Sequence, residues 1–375
     1  MLLEFGAYNF TSFREGFSIN LREKKNSKKA HTLMGIKGAN ASGKTNVLKV
    51  PYFLSSFCRN SFNYEIDEKI HISSFFQNNK ETSIYAIFSK NNIEYKYEID
   101  LTRDTVIKES IYKKEKLIIE RIGNELTTNT INEFEELKTM ILRNNVSLIS
   151  TAKQYGHKSI DTIYNLFVNI LGNVHTYGLS EQFIDYQFVS KLYYQEPLLL
   201  NFLKEIIIKI DTGISDIKVI ENIDPETKKK SYHPIFSYKV DEKDNILTYH
   251  EQSSGTKTLY KQLALYKITL DNGGILLLDE LDINLHPDLI PILLNFFESK
   301  KINTKNAQLI FTTHNNEIMD RLKKSRIVLV NKEDNESYLY KLDETGEILR
   351  NDRSISTIYN TGRLGGKPKI ELDYE

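Results

Sequence analysis

Residues Gly38-Ala39-Asn40-Ala41-Ser42-Gly43-Lys44-Thr45 fill every fixed position of the pattern G-x-x-x-x-G-K-[ST], whose chemistry is the binding of a nucleoside triphosphate. The two glycines let the backbone curl until successive N–H groups point at phosphate oxygens. Lys44 brings a cation to the β/γ-phosphates, and the Thr45 hydroxyl can ligate Mg²⁺. Asn40, Ala41, Ser42 and Asn46 complete the candidate nucleotide-binding set. A chance match in a chain of this length has a probability of about one per cent on average residue usage. More than two hundred residues downstream, the apolar run Ile275-Leu276-Leu277-Leu278 ends in Asp279-Glu280. Asp279 at a strand tip can hold Mg²⁺, and Glu280 can polarise a water that attacks the γ-phosphate. A second apolar run, 307–312, leads to Thr313-His314. Neighbouring parallel strands present their tips on one edge, so His314 is expected near Glu280, where a neutral imidazole can donate to phosphate. Glu251-Gln252-Ser253-Ser254-Gly255-Thr256-Lys257 is a polar turn opening a helix. Ser253 suits an ordinary N-cap, and the same helix N-terminus is also an anion site; both readings stand on local evidence.

The elements that must position these groups follow from hydrophobic period. Residues 32–36 read as a strand before the loop, and Val47, Leu48, Phe53, Leu54 and Phe57 as a helix after it, with Pro51 expected to kink that helix. Helix and strand alternate from 258 onward: helix 258–271, strand 274–279, helix 287–299, strand 307–312, helix 315–322 and strand 326–330. The strands are uniformly apolar, as parallel strands covered on both faces must be. Period-two alternation predicts a hairpin over 1–21 and an antiparallel β meander over 83–125, broken at 90–92, 102–104 and 113–115. Between 126 and 212 the period shifts toward 3.6, which predicts a helical insertion. The fold class is therefore α/β, a P-loop NTPase whose core is assembled from residues 1–82 and 213–375, with the meander and the insertion as excursions.

Composition excludes several classes. Lys+Arg and Asp+Glu number 50 each, so the chain is not a globally basic nucleic-acid binder, although a local groove stays compatible with that balance. The one cysteine, Cys58, precludes an internal disulfide framework and fits a small buried role on the helix after the P-loop. The N-terminus lacks a basic segment followed by a long apolar one, and the apolar runs fall far short of a membrane span, so a cytoplasmic protein without membrane contact is expected. The remaining histidines show no metal-ligand spacing.

With these pieces in place the chain resembles the ABC-type ATPases, the group with the SMC, RecF and OLD proteins. The P-loop, Ser253-Ser254-Gly255-Thr256 as signature, Leu278-Asp279-Glu280 as Walker B, Leu285-His286-Pro287 and the switch His314 occur in that group's order. Phe10-Thr11-Ser12-Phe13 resembles the opening of RecF-like chains. The strongest likeness is to stand-alone AAA-15/AAA-21-like ATPases of abortive-infection and anti-phage systems, which share a tail such as Tyr359-Asn360-Thr361-Gly362-Arg363-Leu364-Gly365-Gly366-Lys367-Pro368. The similarity covers roughly 1–55 and 245–370. It implies an ABC-ATPase-like head in which Ser253 and Gly255 contact the γ-phosphate of ATP held by a second protomer, with Asn284 in the D-loop at that head-to-tail interface. It also implies Gln77 as the Q-loop residue. The signature lacks the leading Leu and first Gly of the common L-S-G-G-Q form, and no heptad arm supports an SMC-like bridging machine. No Toprim nuclease is expected within this chain, so a nuclease or toxin effector would be a separate polypeptide. The expected function is a slow ATPase, with ATP and Mg²⁺ as ligands, that dimerises and regulates such an effector in anti-phage defence. The rivals are a RecF-like DNA-binding repair ATPase and an ATP-gated scaffold with little turnover.

Overall fold

A strand that is apolar at every position needs cover on both faces, and the computed structural model supplies it. It describes residues 1–127, 130–175, 178–179, 185–211, 213–345 and 354–367, so Pro368 of the tail lies outside the described residues. In chain order, β1 (Leu2–Tyr8) and β2 (Phe17–Asn20) precede β3 (Leu33–Gly38) and α1 (Lys44–Asn60). There follow β4 (Thr82–Lys90), β5 (Ile93–Leu101), β6 (Val106–Lys113), β7 (Lys116–Ile122) and β8 (Glu125–Leu126). Next come α2 (Leu148–Gln154), α3 (Asp161–Val168), β9 (Ile170–Gly172), β10 (Val174–His175), β11 (Gly178–Leu179), α4 (Tyr186–Gln195) and α5 (Pro197–Ile210). The chain continues with β12 (Ile214–Ile223), β13 (Lys230–Val240), β14 (Lys243–Thr248), α6 (Ser254–Asn272), β15 (Ile275–Leu278) and α7 (Leu289–Glu298). It closes with β16 (Gln308–Thr312), α8 (Glu317–Leu322), β17 (Ile327–Glu333), β18 (Glu336–Lys341) and α9 (Ile355–Asn360).

The central sheet has the order β18-β17-β3-β16-β15-β9, parallel throughout except for the β17–β18 hairpin. Side chains alternate between its faces with the period of two that any strand imposes. Met34, Ile36, Ile275, Leu277, Ile310, Val328 and Val330 join α1 in one core. Leu33, Leu276, Leu278, Leu309, Phe311, Ile327 and Leu329 join α6, α7 and α8 in a second. Gly38 lies so close to β17 that a Cβ there would stand 2.3 Å from the Val330 carbonyl oxygen. The first glycine of the P-loop is thus demanded by packing as well as by loop curvature.

A seven-stranded antiparallel sheet, β2-β1-β4-β5-β6-β7-β8, backs the α1 side. Its inward face carries Ile84, Ala86, Phe88, Tyr97 and Ile99, and the Phe167 ring of α3 packs edge-on against Phe88 and Tyr97 at 5.3 and 5.2 Å. The N-terminal hairpin belongs to this sheet, because β1 pairs with β4 as well as β2. The helical stretch expected over 126–212 is interrupted: β9 pairs in parallel with β15 and forms an edge of the central sheet. Three residues are too few for a period to show, and their partner lies a hundred positions away. Helix α1 continues through Pro51 as one helix, and Cys58 on it is fully buried. Helix α6 begins four residues before the expected start because Ser253 caps it, and it ends at Gly273 in a left-handed conformation, φ +62°.

One buried ion pair ties the antiparallel sheet to the 143–148 segment. Arg121 is wholly buried; it donates to the carbonyls of Gly123 (2.6 Å), Val146 (2.5 Å) and Arg143 (2.6 Å) and meets Glu109 at 3.4 Å. Glu109 in turn accepts from Tyr97 Oη, Ser147 Oγ and the Leu148 N–H. Replacing Arg121 with Met leaves that carboxylate charged, buried and short of its cation. Urea unfolding of Arg121→Met should show a loss of about 3–5 kcal/mol.

Candidate functional site

The site is built where the tips of the parallel strands meet the N-terminus of α1. The loop between β3 and α1 places Ala41 at φ +60° and Gly43 at φ +108°. A Cβ on Gly43 would stand 2.7 Å from Ser337 Oγ and 2.8 Å from Ser12 Oγ, so only glycine fits. Those two hydroxyls brace the loop from outside. Ser337 donates to the Ser42 carbonyl (2.7 Å), its Oγ pairs with Ser12 Oγ at 2.7 Å, and Asn46 Nδ2 donates to Ser12 Oγ (2.9 Å). Lys44 lies inside the loop, donating to the carbonyls of Gly38 (3.1 Å) and Ala39 (2.9 Å). Two of its three N–H bonds are engaged, so one is available to a phosphate oxygen. Burial lowers its pKa, while Asp279, Glu280 and Asp282 pull the other way. Ser42 Oγ is buried without a hydrogen-bond partner. An orphaned hydroxyl, a Cβ-free cradle and a spare ammonium proton are what an anionic triphosphate requires. Asn40 and Ala41 are exposed at the mouth.

Asp279, at the end of β15, faces this loop across β16. Its Oδ2 accepts from Thr45 Oγ1 at 2.7 Å and its Oδ1 from Thr312 Oγ1 at 2.6 Å. A hydroxyl and a carboxylate paired in this way form a fitting donor set for Mg²⁺. Thr312 Oγ1 also accepts the Glu280 N–H at 2.7 Å. Glu280 adopts φ +51°, a conformation uncommon outside glycine that turns its carboxylate away from the strand path. Asn173, just after β9, donates its amide to the Asp279 carbonyl (2.9 Å) and accepts the Asp279 N–H (2.7 Å).

His314 stands beyond the tip of β16, exposed. Its N–H donates to both oxygens of Asp282 at 3.2 Å, and its carbonyl accepts from Lys37 Nζ at 2.9 Å. The structure therefore brings the P-loop, Asp279, Glu280 and His314 onto one edge of one sheet. It leaves Gln77 apart from them: Gln77 is exposed, its N–H closes a turn on the Ser74 carbonyl (3.1 Å), and its cavity is walled by Lys69, Asn78, Lys80 and Arg103. Ser253 and Gly255 lie in the first turn of α6. Ser253 Oγ accepts the Thr256 N–H at 3.1 Å, the ordinary capping role. Ser253 and Ser254 are exposed, and a Cβ on Gly255 would stand 3.0 Å from the carbonyl oxygen of Asn284, itself exposed at φ +59°.

Three supporting residues, Asn173, Thr312 and Ser337, had no motif to announce them, and Ser12 stood in the Phe10-Thr11-Ser12-Phe13 segment with no role assigned to it. Of these, only Thr312 stood at an expected strand tip. No helix among the described residues is long and apolar enough to cross a membrane.

Residues 33–320 match the protein family described as "AAA domain, putative AbiEii toxin, Type IV TA system", and the chain belongs to that family of P-loop ATPase domains. No curated protein matches the chain.

The isosteric change Thr312→Val removes one hydroxyl that serves both the buried Asp279 carboxylate and the Glu280 N–H. Chemical denaturation should register a loss of about 1–3 kcal/mol, the usual cost of leaving buried polar groups unpaired. An unchanged midpoint would show that these groups find other partners.

Proposed function

From this family membership we propose that the protein is an ABC-type ATPase that closes as a head-to-tail dimer around ATP and Mg²⁺. In this reading it works in the cytoplasm as the sensor or regulator of a separately encoded nuclease or toxin in anti-phage defence. The observation that carries the ATPase reading is the 2.7 Å bond between Thr45 Oγ1 and Asp279 Oδ2, which joins the P-loop helix to the acidic strand tip. In it, residues 1–82 and 213–375 supply most of the ATPase core, 83–125 is an excursion, and 126–212 is an excursion that returns β9 to the edge of the central sheet.

The geometry supports the following roles in this reading. The backbone N–H groups from Gly38 to Thr45, with Asn46 at the start of α1, cradle the β-phosphate, and Lys44 donates to the β/γ oxygens. The Thr45 hydroxyl and the Asp279 carboxylate would hold Mg²⁺, which would supply charge neutralisation to the phosphate. Glu280, held at its N–H by Thr312, accepts a proton from the attacking water. His314 donates to the γ-phosphate. The exposure of Ser253 and Ser254, and the approach of Gly255 to Asn284, support a signature turn that faces a second protomer. Its helix N-terminus would then complete that protomer's phosphate site.

Two variants test the reading. Glu280→Gln keeps a hydrogen-bonding side chain but not a base, so ATP affinity should hold in equilibrium titration while turnover falls by about 10²–10⁴-fold. Near-normal hydrolysis would move the base elsewhere. Gly255→Asp puts a charge and a Cβ against Asn284 at the supposed interface. Light scattering should show loss of ATP-dependent dimer, with hydrolysis lost and ATP binding by the monomer retained. If this variant lost monomer binding while remaining folded by circular dichroism, Gly255 would act within its own protomer and the sandwich would be wrong.

A further inference from the structure

Lys37 precedes the P-loop on β3 and is not part of its pattern, yet it is only 4% exposed. Its ammonium donates to the His314 carbonyl at 2.9 Å and lies 5.2 Å from the centroid of the Tyr359 ring. On the other side of the same residue, Asp282 accepts the His314 N–H with both carboxylate oxygens. One residue is thus gripped at its N–H by an anion and at its C=O by a cation. Asp282 belongs to the turn that leads to Asn284.

Tyr359 is itself fixed. Its hydroxyl donates to the Gly366 carbonyl (2.7 Å), the Gly366 N–H donates to Asn331 Oδ1 (2.5 Å), and Asn360 Oδ1 accepts from Asn316 two residues beyond His314 (2.7 Å). Gly365, at φ +69°, permits this fold-back, because a Cβ there would stand 2.9 Å from both Asn331 Oδ1 and Tyr340 Oη. The tail that the sequence singled out is therefore packed against the wall of this one lysine.

We propose that Lys37 and Asp282 clamp the His314 backbone and thereby position the switch histidine, with Tyr359 of the C-terminal tail holding Lys37 in place. The proposal rests on the ATPase reading and on His314 acting in it. A buried cation beside a second one, Lys44, is costly, and an apolar side chain would fill the space without that cost. The cost appears in Lys37 itself: burial and then Lys44 push its pKa down, to about 8, although Asp282 opposes the shift. The groups that face it are Asp282 after β15, Lys44 of α1, His314 after β16 and Tyr359 of α9. Below about pH 8 the ammonium is charged and the clamp is complete; above it the neutral amine loses its attraction to Asp282 and to the Tyr359 ring.

The test compares purified full-length wild type, Lys37→Met, Lys37→Arg, Tyr359→Leu, His314→Ala and the double variant Lys37→Met/His314→Ala. Equilibrium ATP titration and steady-state turnover are measured from pH 6.5 to 9.5. A loosened switch residue should cost about 10- to 100-fold in turnover with little change in ATP affinity. Lys37→Met should show that loss, and the double variant should be no worse than His314→Ala, since both lesions remove one function. Wild-type turnover should fall as pH rises through about 8, and Lys37→Arg, which stays charged, should not fall in that window. Normal turnover by Lys37→Met beside an impaired His314→Ala overturns the clamp and leaves the ATPase reading intact. Multiplying losses in the double variant, or an alkaline fall in Lys37→Arg matching wild type, also overturn it. Normal turnover by His314→Ala overturns instead the role assigned to that histidine. Should Lys37→Met fail to fold, Tyr359→Leu carries the same expectation with the cation retained.

Discussion

A carboxylate that is 3% exposed needs hydrogen-bond donors to replace the water it has lost, and Asp279 obtains one on each oxygen from two threonines on different elements. Thr45 comes from α1 and Thr312 from β16, while Asn173 binds both backbone groups of the same residue from the β9 side. Three segments, around residues 45, 173 and 312, thus converge on one residue, Asp279. The arrangement sets the depth of α1 over the sheet and the register of β15 against its two neighbours. It also fixes the next residue: Glu280, its N–H tied to Thr312, leaves the strand at φ +51°.

The central sheet makes that convergence achievable because its two faces are closed by unrelated parts of the chain. One face is covered by α1 and backed by the antiparallel sheet; the other is covered by α6, α7 and α8. Every buried position of β3, β15, β16 and β17 therefore has a partner, and the polar groups are confined to the strand tips. At the P-loop the Ser42 hydroxyl lacks a hydrogen-bond partner and Lys44 keeps one N–H available. Ser253, Ser254 and Asn284 are exposed.

Lys37, Asp282 and Tyr359 extend this logic from the strand tips to the end of the described chain. The tail lies on β17 and β18 through Asn331 and Tyr340, and through Tyr359 it reaches Lys37, the residue before the P-loop. A change in how the tail docks would reach His314 through a single side chain.

The P-loop, the Asp279-Glu280 strand end and His314 were legible from the sequence because each depends on local rules. Glycines permit the loop's dihedrals, an uninterrupted apolar run demands burial on both faces, and a strand tip places its next residue at the sheet edge. The order of helix and strand after residue 258 was legible for the same reason, to within a few residues at each end. Tertiary structure alone decided which strand lies beside which, and so made Thr312 rather than a P-loop residue the link between Asp279 and Glu280. It alone recruited Asn173, whose two hydrogen bonds to Asp279 span 106 residues, and the serine pair Ser12 and Ser337, separated by 325. It alone set β9 into the central sheet and left Gln77 outside the cluster. A hydrogen bond between distant side chains leaves no period or spacing in a sequence, since its two ends are brought together only by the packing of everything between them.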